Sequence, residues 1–91
     1  MIKNIHIIVE QTMNDPTDPS KGYVLEVLTT PYFSVIEVFN TCLELAESTS
    51  RALNSSGEYS TYANSHSVID TKTSNIIVQY YIVSSKIETF E

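Results

Sequence analysis

Glu37, Glu44 and Glu47 recur along one side of a segment with helical periodicity, and Asp15, Asp18 and Glu58 lie in the stretches beside it. Carboxylates in surplus over cations attract basic surfaces and repel nucleic acid, so the chemistry on offer is electrostatic recognition. A seven-residue step from Glu37 to Glu44 is about 10.5 Å along a helix axis, in the range of phosphate-to-phosphate distances on a duplex. Glu47 is spaced to pair with Arg51 at i,i+4, which would remove it from the free charge. An ordinary solvated helix face has the same pattern and is the plainer reading of these residues alone. Asp15 and Asp18 precede Pro16 and Pro19. They read as Asx-turn formers that add charge to the surface, because a calcium loop needs more oxygen ligands and a glycine at its turn.

No other residue pattern supplies chemistry. His6 and His66 are the only histidines, and Cys42 is the only cysteine. A zinc site needs further ligands at recognisable spacing. Cys42 sits in an apolar pattern with Glu44 and Glu47 nearby, which suits a buried small hydrophobe and not a nucleophile. Serines are plentiful, yet none lies in a G-x-S-x-G elbow. A Ser-His-Asp arrangement through His66 and Asp70 has nothing to recommend it. Only Gly22 and Gly57 are present, which excludes the glycine-rich phosphate loops. Lys3, Lys21, Arg51, Lys72 and Lys86 are dispersed, so direct nucleic-acid binding is disfavoured. The expectation is a protein with no catalytic residues, no metal and no cofactor.

The bulk numbers agree with a binding role. The chain has 91 residues, with eleven acidic against five basic side chains, a formal charge of -6 and a pI near 4.7. One domain, 1–91, is expected. The N-terminus lacks signal-peptide anatomy, and no window approaches the roughly 20 apolar residues of a membrane span. With a lone cysteine, these features predict a cytoplasmic protein.

The elements that must position the acids follow from periodicity. Ile2–Gln11 reads as a strand, with Ile5, Ile7 and Val9 on one face and His6, Ile8 and Glu10 on the other. Thr12–Lys21 is a proline-bearing loop. Gly22–Thr30 reads as a second strand, ended by Pro31. Ser34 to Glu37 fits a capping box, with Phe33 and Val38 placed as a hydrophobic staple. A helix follows to about Leu53, with a stripe of Val35, Val38, Phe39, Cys42, Leu45, Ala46 and Leu53. Glu58–Thr71 reads as a polar, bulged strand, Asp70–Asn75 as a turn, and Ile76–Val83 as a strong strand continuing toward Phe90. The order β-β-α-β-β predicts an α+β fold: a four-stranded, mainly antiparallel sheet with one helix on one face.

One helix cannot cover both faces of such a sheet. Alternation puts Ile76, Val78, Tyr80 and Ile82 on one side and Ile77, Gln79, Tyr81 and Val83 on the other. A homodimer through the sheet face or its edge is therefore expected, with Ile77, Tyr81 and Val83 at the interface. Charge density adds weight to a dimer. A globule of this length would be about 30 Å wide, and duplex DNA of that length carries roughly 18 charges. Two chains sharing one acidic surface come nearer to that density than one.

The acidic helix Glu37–Glu47 lies between the strands around Ile5–Val9 and Ile76–Val83, in a short chain without tryptophan that is rich in Ile, Asn, Ser, Thr and Tyr. In this whole-chain character it resembles the small early proteins that bacteriophages make against host defences, and among them the anti-restriction nuclease (Arn) proteins of T-even phages. The resemblance implies a DNA-mimicking dimer in the host cytoplasm that blocks a modified-cytosine-directed restriction endonuclease, and it implies binding to a histone-like nucleoid protein. The expected function is non-catalytic inhibition of a host DNA-binding protein. The alternative is an interaction module that docks through a sheet edge or apolar face, its acidity serving solubility only.

Overall fold

A computed structural model of the protein describes residues 1–28, 32–88 and 90. Ile2–Met13 forms β1, Tyr23–Val27 forms β2, and Val35–Ser56 forms the helix α1. Thr61–Asn64, Ser67–Asp70 and Ile76–Glu88 form β3, β4 and β5. Neighbouring strands pair antiparallel in the order β2-β1-β5-β4-β3. The α+β class is the one the sequence predicts, with one strand more. The segment read as a single bulged strand is a hairpin, because Asn64 pairs with Ser67 and Ser65 turns the chain at φ 56°. The stretch Thr29–Pro31, read as the end of the second strand, lies outside the described residues, as do Thr89 and Glu91.

The shape departs from a rounded globule. β1 and β5 pair continuously from Ile2↔Glu88 to Thr12↔Val78. The molecule measures 50 × 24 × 18 Å. Extended strands rise about 3.4 Å per residue, so two strands of 12 and 13 residues set the long axis.

α1 begins where the sequence places it. The Ser34 hydroxyl accepts from the Glu37 N–H at 3.2 Å, which satisfies one of the orphan donors of the first turn. Ser34→Ala is expected to lower stability by about 1 kcal/mol, read as a lower urea midpoint with an unchanged slope. The C-terminus closes on Gly57, held in the left-handed region at φ 77°. The buried stripe is Val38, Cys42, Ala46 and Ser50, a run at i+4 spacing. Leu45 and Leu53 pack partly against the core, whereas Val35 and Phe39 stay largely exposed. Small residues at 42, 46 and 50 bring the helix close to the sheet, and the longer flanking side chains are left at its margins.

The core lies between α1 and the even-numbered face of β1. Ile8, Val38, Cys42, Ala46, Val68, Ile77, Val78 and Tyr80 are buried together there. Polar bonds fix the helix to the far edge strand. Asn54 accepts from the Thr61 N–H at 2.7 Å and donates to the Thr61 carbonyl at 3.0 Å, the two bonds a neighbouring strand would make. The Ser50 and Thr61 hydroxyls meet at 2.8 Å.

Ile77 corrects the interface set predicted from alternation. β4 and β5 pair at Val68↔Val78 and then at Ile69↔Ile76, so Ile77 is the extra residue of a β-bulge. The bulge turns Ile77 into the helix-side core at 3% exposure and leaves Ile76 at 48%. Tyr81 and Val83, the other two residues of that set, are exposed.

Candidate functional site

α1 presents Glu37, Glu44 and Glu47 on its exposed side. Arg51 does not neutralise Glu47: its guanidinium donates to the Ser48 hydroxyl at 3.4 Å, and the described residues hold no Glu47–Arg51 ion pair. Glu58 is exposed just past the Gly57 cap. Pro16 and Tyr59 line one shallow cleft with Leu53 and Met13, so the loop carrying Asp15 and Asp18 lies beside the segment carrying Glu58. The six sites predicted from sequence therefore fall into two groups, three along the helix and three at its C-terminal end.

The loop aspartates are turn formers. Asp15 Oδ1 accepts from the Thr17 hydroxyl at 2.7 Å and the Thr17 N–H at 2.9 Å. These bonds hold its carboxyl below the usual range, the hydroxyl bond contributing most. Asp18 Oδ1 accepts from the Ser20 hydroxyl at 2.6 Å and the Ser20 N–H at 3.0 Å, capping a short turn at Pro19–Lys21.

The second surface is the sheet face away from α1. Cross-strand register places Ile7, Val9 and Gln11 of β1 beside Val27 and Leu25 of β2 and beside Val83, Tyr81 and Gln79 of β5. Tyr23, Leu25 and Val27 share the β2 side of this face, with Leu25 64% exposed. Among the described residues this face carries no carboxylate, and Lys3 at one end is its one charge. Its ammonium lies over the Phe33 ring, 5.5 Å from the centroid. Glu10 and Glu26 pair across strands on the helix side instead. β2 belongs to this surface as much as β5 does, and Tyr23, Leu25 and Val27 alternate as plainly as Tyr81 and Val83.

The helix side of the sheet holds a polar network. Tyr80 donates its only hydroxyl proton to Glu10 Oε2 at 2.9 Å, so the Thr49 hydroxyl, 2.6 Å away, donates to Tyr80. Burial pushes the Tyr80 hydroxyl up to about 12, with Glu10 adding to the shift and Thr49 opposing it. His6 Nδ1 meets the Ser84 hydroxyl at 2.6 Å across the β1–β5 ladder, a pair that register alone creates. No carboxylate bonds the His6 ring among the described residues, so the orienting third group of a nucleophile–base pair is missing. His66 and Asp70 do not combine. The His66 ring packs edge-on to Phe39 at 4.4 Å with Nε2 unbonded, and Asp70 accepts from the Lys72 N–H at 2.7 Å. Burial raises the Cys42 thiol. The described residues contain no group of three or more metal-ligating side chains, and none of their helices is long and apolar enough to cross a membrane.

Comparison of the chain with protein-family models, with curated proteins and with solved structures gives no match.

Proposed function

We propose that the protein is a non-catalytic acidic inhibitor that offers the α1 carboxylates to a basic DNA-binding partner where that partner expects phosphates. A restriction nuclease or a nucleoid protein has the required chemistry, as the resemblance to phage anti-restriction proteins implies. The observation that carries the reading is the segregation of charge. Carboxylates occupy the helix layer and its end, and the described part of the opposite sheet face has none.

Magnitudes narrow what is imitated. Glu37 to Glu47 spans about 15 Å along the helix. That length of duplex carries roughly nine phosphates, and one strand of it about four or five. Three unpaired glutamates approach the density of a single phosphate strand and fall far below a duplex. The partner surface is accordingly one that follows one backbone of DNA.

The test is capture of a basic protein from host lysate, with and without competing duplex, followed by titration of that protein against the Glu37→Gln/Glu44→Gln/Glu47→Gln triple variant. Exposed charge pairs are each worth about 0.2–1 kcal/mol, so the triple variant should bind about tenfold more weakly at low salt. It should also show a flatter salt dependence. The cap survives these changes, because Ser34 accepts from the Glu37 backbone and not its side chain. Affinity that ignores both salt and the triple variant would sink the proposal. It would favour docking through the bare sheet face, the reading that the exposed Leu25, Val27 and Tyr81 support.

A further inference from the structure

We infer that the sheet face away from α1 is the interface of a homodimer in which two copies pack face to face. The inference goes beyond the proposed function and does not depend on it.

Charge selects the occupant. The chain carries -6 overall, so two copies repel wherever their acids meet. The described part of this face is the large surface on which they would not. A basic partner gains nothing there, since no carboxylate is present to pair with its cations. An acidic chain with one apolar face free of carboxylates among the described residues is complementary to itself at that face.

Area permits the contact. The five strands run side by side for about five residues, at roughly 4.8 Å between strands and 3.4 Å per residue, and the β1–β5 ladder adds a narrower extension. The footprint is on the order of 550 Å² per copy, or about 1,100 Å² for the pair, just above the roughly 1,000 Å² that separates specific interfaces from incidental contacts.

Register shows how the copies fit. β5, which carries Tyr81 and Val83, is the middle of the five strands, with β1 and the β2 row of Tyr23, Leu25 and Val27 on one side and β4 and β3 on the other. A twofold axis lying along β5 in the interface plane seats each copy's β1 on the other's β4 and its β2 on the other's β3, so all five strands take part. Tyr81 and Val83 of β5 then meet their own copies across the axis, and Leu25 of β2 lies over β3 of the second copy. The contact is isologous and closes at two copies. It also sends the two helices to opposite outer sides, so the assembly has two separate acidic faces and not one continuous track.

The test is sedimentation equilibrium of the full chain and of Leu25→Glu and Val83→Glu variants. Both positions are already exposed, so the subunit fold should survive, as checked by circular dichroism and urea midpoint. The wild type is expected at twice 10.2 kDa, and each variant at 10.2 kDa. The triple glutamine variant of α1 should remain dimeric, which separates failure of this interface from failure of the proposed function. A wild-type monomer at concentrations up to about 100 μM would overturn the inference. So would a dimer that survives both glutamate substitutions, since it would be joined at a strand edge. If both glutamate variants unfold, Leu25→Ser and Val83→Ser supply the same readout with a smaller perturbation, and an undiminished dimer in both would again overturn it.

Discussion

Tyr80→Ala is expected to lose about 3–5 kcal/mol of stability, enough to leave a small domain unfolded or nearly so at 37 °C. Tyr80 is the largest of the fully buried side chains, at 1% exposure. Its ring fills the space between β1, β5 and α1, and its hydroxyl joins Glu10 on β1 to Thr49 on α1. Truncation leaves a void that the surrounding strands cannot close, and it strands two polar groups. Tyr80→Phe separates the terms: it keeps the ring and removes only the hydroxyl, at a cost of about 1–2 kcal/mol. Urea denaturation of the three proteins measures both. Equal losses in the two variants would mean that the hydroxyl network, and not the packing, holds the layers together.

Alkaline pH should act on the same side chain. The folded Tyr80 hydroxyl is pushed up to about 12, against an ordinary value of 10.0. Below pH 10 the hydroxyl is protonated in both states, and its contribution is fully present. Between pH 10 and 12 the unfolded chain releases the proton while the folded protein retains it, so stability falls as pH rises. Two units correspond to about 2–3 kcal/mol at most, all of it lost by the time the folded hydroxyl ionises. The other tyrosines and the lysines also titrate in this window. The informative quantity is therefore the difference between wild type and Tyr80→Phe, which should shrink as pH passes from 10 to 12. A constant difference would mean that Tyr80 ionises alike in both states.

Local signals in the sequence reached the helix and most of the sheet. Ser34 and Gly57 mark the ends of α1 because capping chemistry is short-range and residue-specific. The strands β1 and β5 were visible because alternation over a dozen residues is hard to mistake. The hairpin at Ser65-His66 was not. It lacks the glycine or Asn-Gly signal of a two-residue turn, and Ser65 adopts its positive φ without advertising it. The side of the sheet to which Ile77 belongs was equally hidden, since a bulge is a property of pairing between β4 and β5 and leaves no mark on either strand alone. The acids of the candidate site were legible as residues, but their partners were not. Arg51 turns to Ser48 instead of Glu47, and Glu10 is drawn inward by Tyr80. Both outcomes depend on neighbours that only the folded chain brings near.

The bulge at Ile77 gives β5 two reading frames. Upstream of it, odd and even positions have exchanged sides relative to the rest of the strand. A chain lacking that single residue would keep its charge, and Ile76, then next to the inward Val78, would stay outward opposite Ile69, but the helix-side core would lose the side chain that the bulge folds into it. The filling of the interior is thus tied to a count of residues in one strand, and length at that point matters as much as identity.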